Sequence, residues 1–123
     1  MNGKVHKLDP EHNGAALRLD ETSDPQIAQM MHDLVQFRED KGWGNDDPLK
    51  NLAVALNVEA SELMDIFTWH NDDETPSAEM KAHAAEELAD VMIYAFFMCS
   101  RLGLDPLKVI RAKHEINEGR SWQ

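Results

Sequence analysis

The sequence predicts an all-α, four-helix bundle-type domain that assembles into a homo-oligomer, and three observations carry the helical part of that expectation. Four pairs of a cap-type residue and proline stand ahead of segments with a helical period: Asp24-Pro25, Asp47-Pro48, Thr75-Pro76 and Asp105-Pro106. Glycines stand where the segments between these marks would end, at Gly42, Gly44 and Gly103. Apolar residues recur at helical spacing throughout, and no stretch alternates apolar and polar as a half-buried strand does.

Each cap–proline pair has a physical reason to open a helix. The cap side-chain oxygen accepts from an amide that lacks an intrahelical partner. Proline at the first helical position gives up a hydrogen bond that would not form there. Helices are therefore expected over residues 25–41, 48–70, 76–102 and 106–118, with 71–75 as a short connection. Upstream, Lys4, Lys7, Asp9-Pro10, Gly14 and Asp20-Glu21 interrupt any sustained period. Residues 1–24 are expected to be a flexible N-terminal arm in which Ala15-Ala16-Leu17 is the segment suited to docking. Residues 25–123 form one all-α domain in this reading.

The third helix predicts assembly. Val91 to Cys99 is an unbroken run of nine apolar residues. Phe96 points about 180° from Glu87 on a helical wheel, so the helix is apolar on every side. A small four-helix chain can rarely cover all those sides, which implies a dimer or tetramer with this helix central; the alternative is a buried central helix in a monomer.

Composition narrows the partners. The chain has 123 residues and a net charge of −11, with 23 acids against 12 bases. Such a balance argues against polymeric nucleic acid or an anionic membrane surface. No run approaches the ~20 apolar residues of a membrane span. The single cysteine, Cys99, sits among apolar residues and reads as packing; it suits the reducing cytoplasm, the expected location. The beginning of the chain lacks a charged-then-apolar leader.

Two acidic words stand out, Glu59-Ala60-Ser61-Glu62 and Glu87-Leu88-Ala89-Asp90. At about 100° per residue, Leu52, Leu56, Leu63 and Ile66 cluster around Glu59, and Glu62 lies ~60° away. The same wheel clusters Ala84, Val91, Tyr94 and Met98 around Glu87, with Asp90 again ~60° off. Both words thus place carboxylates on apolar faces, where an isolated ionised acid is expensive. With a short connection the two helices form an antiparallel hairpin, and the words stand level and face each other. Four hard oxygen ligands without a nearby thiolate suit Mg²⁺ or Mn²⁺. The competing reading is a solvated acidic face, which is how Asp65, Glu79 and Glu86 are best understood.

A cation pair bridging four acids is suited to phosphate oxygens. Lys113, Asn117 and Arg120 recur at i, i+4 and i+7 on one stripe of the last helix and read as phosphate contacts. The alternative is that they complement the helix dipole. Trp43 and Trp69 bracket the second helix and read equally as packing or as a platform for a nucleobase.

Lys50-Asn51-Leu52, Glu59-x-x-Glu62-Leu63, Glu86-Glu87-Leu88-Ala89-Asp90-Val91 and Lys113-x-x-x-Asn117-x-x-Arg120, in that order, resemble the MazG-like all-α nucleotide pyrophosphohydrolases, on the dCTP pyrophosphatase-like branch. The resemblance spans residues 26–120. It implies Mg²⁺ held by Glu59, Glu62, Glu87 and Asp90, and triphosphate contacts from Lys113, Asn117 and Arg120. It also implies a nucleotide pocket lined by Trp43, Trp69 and Tyr94, with sites built where subunits meet. The implied reaction is hydrolysis of a (deoxy)nucleoside triphosphate, dCTP or a related dNTP, to a monophosphate and pyrophosphate. One position departs: where that branch often carries histidine, this chain has Asp47, which the Asp-Pro pairing assigns to helix capping.

Two rivals follow from the same residues. A di-iron carboxylate bundle needs Glu-x-x-His pairs, and the residues after Glu62 and Asp90 at that spacing are Asp65 and Ile93. The six histidines share no ligand spacing, which disfavours zinc. The non-enzymatic rival is a helical interaction or oligomerisation module whose acids are structural.

Overall fold

In a computed structural model, residues 8–9, 17–18, 24–43 and 47–119 are described. They form four helices, α1 (Pro25–Asp40), α2 (Leu49–Phe67), α3 (Ala78–Leu102) and α4 (Pro106–Glu118). Among the described residues the only β feature is an isolated bridge between Arg18 and Leu104. The all-α expectation therefore holds, with boundaries moved by up to three residues.

The chain divides into two compact units, one spanning Leu34–Met98 and the other holding the described residues up to Asp33 and from Cys99 onward. The Leu34–Met98 unit contains the end of α1, all of α2 and most of α3. Leu52, Ala84 and Phe97 are its buried apolar residues among those described. The α2–α3 connection is longer than expected, 68–77, because α2 stops at Phe67 and α3 starts at Ala78. Glu59 lies eight residues before the end of α2 and Glu87 nine residues after the start of α3. At ~1.5 Å per residue these are about 12 and 14 Å from the connection, so the acids still stand level.

Capping matches expectation at two of the four starts. Asp24 Oδ1 accepts from the amides of Gln26 at 2.9 Å and Ile27 at 3.3 Å. Asp105 Oδ1 accepts from Leu107 at 2.9 Å and Lys108 at 3.3 Å. The other two differ. At α3, Ser77 Oγ takes the amide of Met80 at 3.1 Å, which displaces the start from Thr75-Pro76. At α2, Pro48 itself is the cap residue and no side chain caps it, because the Asp47 carboxylate is taken by Arg38 at 2.6 Å. The capping role expected of Asp47 is thus corrected. A charged guanidinium outcompetes a neutral amide for a carboxylate oxygen.

The glycine stops behave as expected where described. Gly42 and Gly103 have φ of 73° and 70°, a conformation that side chains with a Cβ rarely adopt. Each donates to the carbonyl three residues back, and the following residue donates five back, at 2.9 and 3.0 Å after α1 and 3.1 and 2.8 Å after α3. These paired bonds are the Schellman arrangement. Gly44 lies outside the described residues.

In the other unit, Leu17, Met31 and Asp105 are buried, and the Asp105 amide donates to the Leu17 carbonyl at 2.6 Å. The expected N-terminal arm, 1–24, lies largely outside the described residues. Where it is described, Leu17 and Arg18 dock beside the start of α4.

Large apolar side chains remain uncovered on the single chain. Leu88 and Met92 of α3 are 45% and 56% exposed, and Val54, Val58 and Met64 of α2 are also exposed. No helix among the described residues is long and apolar enough to cross a membrane.

Candidate active site

Glu59 from α2 meets Glu87 and Asp90 from α3, each offering a carboxylate oxygen within 4.8 Å of the others. The hairpin geometry does this: level positions on antiparallel helices bring the acidic words face to face, on helices whose buried residues include Leu52 and Ala84. Glu59 Oε2 and Glu87 Oε2 are buried and lack a hydrogen-bond partner. Two ionised carboxylates are both acceptors, so they bond to each other only when one carries a proton.

The Glu59 carboxyl is accordingly pushed up from 4.5 to about 7. The hydrogen bond with Glu87 is the largest cause, followed by burial and then by the charges of Glu62, Asp90 and Glu87. A divalent cation removes the same conflict by satisfying the orphaned oxygens. This donor set of hard carboxylate oxygens, with no thiolate among its members, fits Mg²⁺ or Mn²⁺ and can hold a metal ion.

Glu62 is exposed and falls outside the group of three. It lines an adjoining cleft of about 630 Å³ with Asp65, Glu79, His83 and Glu87. His83 Nε2 stands 3.7 Å from Glu87 Oε1. Asp65, Glu79 and Glu86 are exposed, as solvated acids should be.

One helical turn beyond Asp90, Tyr94 lines a second cavity of about 440 Å³ with Arg38, Trp43 and Asp47. Trp43 packs edge-on against Phe37 at 5.6 Å, and Tyr94 against Phe97 at 5.9 Å. Trp69 is 92% exposed and does not join Trp43 and Tyr94 in that cavity. Lys113 and Asn117 are half-buried on α4 and belong to the other compact unit. Arg120 lies outside the described residues. Burial, then the charge of Asp105, raises the Cys99 thiol, which keeps it protonated and agrees with a packing role.

Arg38 and Asp47 line the Tyr94 cavity, a placement that sequence reasoning did not anticipate. Arg38 is only 8% exposed, and its guanidinium lies 4.9 Å from the Phe97 ring centroid. A signal existed: Arg38 follows Met31 and Leu34 at i+7 and i+4, a charge on an apolar stripe like those that exposed Glu59 and Glu87.

Facing helices here present three converging carboxylates that could hold a metal ion, beside an aromatic cavity, in an all-α fold. Residues 54–121 match the MazG-like family. The chain is 28% identical to human dCTP pyrophosphatase 1 over 89% of its own length and 67% of that protein. The rat protein of the same name is 30% identical over the same shares. Across the four mammalian relatives the chain spans 61–72% of their length. A cyanophage S-2L dATP/dGTP diphosphohydrolase is 47% identical over 45 residues, 37% of this chain and 43% of that one. The crystal structure of a pyrophosphatase from Archaeoglobus fulgidus superposes with a TM-score of 0.65 at 32% identity, covering 80% of this chain and 94% of that one. The chain belongs to the MazG-like family, on the branch that holds the dCTP pyrophosphatases.

Proposed function

We propose that this chain, a nucleoside triphosphate pyrophosphohydrolase, cleaves deoxynucleoside triphosphates, dCTP or related dNTPs, between the α and β phosphates. Water adds to the α phosphorus, the bridging oxygen leaves with pyrophosphate, and a nucleoside monophosphate remains. The single observation that carries the reading is the meeting of Glu59, Glu87 and Asp90, with two buried carboxylate oxygens left without partners.

Glu59, Glu87 and Asp90 hold the divalent ion in this reading, Mg²⁺ or alternatively Mn²⁺, and Glu62 completes the set from the cleft side. When bound, the ion neutralises phosphate charge and lowers the pKa of a bound water. Glu62, exposed beside Glu87, accepts the proton of the attacking water. Lys113, Asn117 and Arg120 steady the charge of the departing pyrophosphate. Trp43 and Tyr94 receive the base, with Trp69 as a further aromatic contact. The chain works as a homo-oligomer, dimer or tetramer, in which exposed apolar residues of α3 such as Met92 are covered. It acts on free nucleotides of the cytoplasm, as pool cleaning or regulation.

The test is incubation with each dNTP and Mg²⁺, followed by separate assays of pyrophosphate and orthophosphate. Pyrophosphate release that stops on chelation supports the reading. Orthophosphate alone contradicts the site of cleavage, and no release of either favours the interaction-module alternative.

A further inference from the structure

We infer that Arg38 is a positioning residue: its side chain locks the last turn of α1, and Trp43 with it, against the Tyr94–Phe97 face of α3. Its bearing on turnover rests on the nucleotide reading above, in which Trp43 and Tyr94 receive the base; the placement itself does not.

A buried charge is expensive and has to be compensated. Among the described residues Arg38 is the only basic side chain that is buried, at 8% exposed. Its guanidinium is held from two other parts of the chain. It lies 4.9 Å from the centroid of the Phe97 ring on α3, and Nη2 donates at 2.6 Å to Oδ2 of Asp47, ahead of α2. Arginine suits both contacts at once, because its planar fork stacks on an aromatic face while its edge donates to a carboxylate. One side chain of α1 therefore ties α3 to the approach of α2.

The last turn of α1 carries Trp43 in two ways. The Trp43 amide donates to the Arg38 carbonyl at 3.0 Å, and the indole packs edge-on at 5.6 Å against Phe37, the neighbour of Arg38. On α3, Phe97 packs edge-on against Tyr94 at 5.9 Å. Contacts thus run from Trp43 through the Phe37–Arg38 turn to Phe97 and Tyr94, and the Arg38 side chain makes the crossing from α1 to α3. Trp43 is 53% exposed and Phe37 50%, so neither ring is fixed by its own burial. The bond from the Trp43 amide survives any substitution at position 38. What the Arg38 side chain adds is the tie between helices.

That tie can be cut without stranding a charge. The Asp47 side chain is 45% exposed, so its carboxylate stays solvated when the guanidinium is removed. Methionine keeps an unbranched apolar stem against Phe97, and replacing a buried charge by an apolar side chain of similar size is often neutral for stability. Arg38→Met therefore separates positioning from folding.

The experiment labels the full chain with 5-fluorotryptophan and assigns the Trp43 resonance, among three tryptophans, by its loss in Trp43→Phe. Wild type and Arg38→Met are compared by fluorine NMR, by thermal melts with and without Mg²⁺, and by steady-state kinetics on dCTP. The Trp43 resonance is expected to shift or broaden in Arg38→Met while the other two stay. Mg²⁺ should raise the melting temperature as much as in wild type, because the three carboxylates are untouched. KM should rise about tenfold, the size of one lost base–aromatic stack, with kcat held within about twofold. An unmoved Trp43 resonance overturns the inference, as does an unchanged KM. A fall in kcat together with loss of the Mg²⁺ effect also overturns it, since that marks general damage. Should Arg38→Met fail to fold, Arg38→Lys, which keeps the charge without the flat fork, is held to the same criteria. The two readings fail separately. A wild type that turns over no triphosphate removes hydrolysis, and the Trp43 resonance then decides the placement alone; turnover with that resonance unmoved removes the positioning role and leaves hydrolysis standing.

Discussion

Replacing Glu59 by glutamine is expected to stabilise the metal-free protein at alkaline pH while destroying its ability to gain from metal. The folded chain without metal keeps a proton on Glu59 up to about pH 7, against an ordinary value of 4.5. Between those values the folded state binds more protons than the unfolded one, so stability falls as pH rises. The favourable contribution is whole below pH 4.5 and lost above about 7. A shift of this size sets a ceiling of about 3 kcal/mol at 1.36 kcal/mol per pH unit. Solvent reaching the cleft beside Glu87 screens the charges, and about 1–2 kcal/mol is the expected net effect. Glutamine carries no charge at either pH and removes this dependence. Thermal melts in EDTA at pH 5 and pH 8 should show wild type losing about 3–6 °C relative to Glu59→Gln across that interval. Adding Mg²⁺ at pH 8 should reverse the loss in wild type, by roughly 2.7 kcal/mol at a hundredfold excess over Kd, and do much less in the variant. His83→Ala serves as a control for the imidazole 3.7 Å from Glu87. Parallel pH dependences in wild type and Glu59→Gln would refute the reasoning, since Glu59 would then not be the origin of the slope.

Other outcomes test separate parts of the molecule. Glu87→Gln should abolish pyrophosphate release while circular dichroism retains the helical signal, because the amide still fits but no longer anchors a cation. Asp105→Ala should cost about 1–2 kcal/mol in denaturant melts, since Asp105 is 1% exposed and its oxygen serves the amides of Leu107 and Lys108. Met92→Lys should lower the mass seen by light scattering without unfolding the chain, because Met92 is 56% exposed and only a second copy would object to the charge. An unchanged mass would remove α3 from the assembly surface.

Helix number and order could be read from punctuation. Asp24-Pro25 and Asp105-Pro106 open helices because cap and amide are neighbours in the chain, and Gly42 and Gly103 close them because their φ is positive. Such interactions span two to five residues and are written wherever those residues occur. Glu59, Glu87 and Asp90 were also accessible, because a charge on an apolar stripe is a conflict visible on a wheel. Asp47 was misread for the opposite reason. Its local neighbours argued for a cap, while the partner that claims it, Arg38, comes from another helix. Thr75-Pro76 lost its role to Ser77, a competition between adjacent caps that composition does not rank.

The order of residues was enough to establish four helices and two acidic words at matching height. Three-dimensional packing settled which carboxylates share one space, setting Glu62 apart at the cleft, and gathered Arg38, Trp43, Asp47 and Tyr94 around one cavity. The physical reason is range. Caps, turns and wheel positions depend on neighbours along the chain, whereas ion pairs and pockets depend on which helices meet, and many sequences with the same periodicity could meet differently.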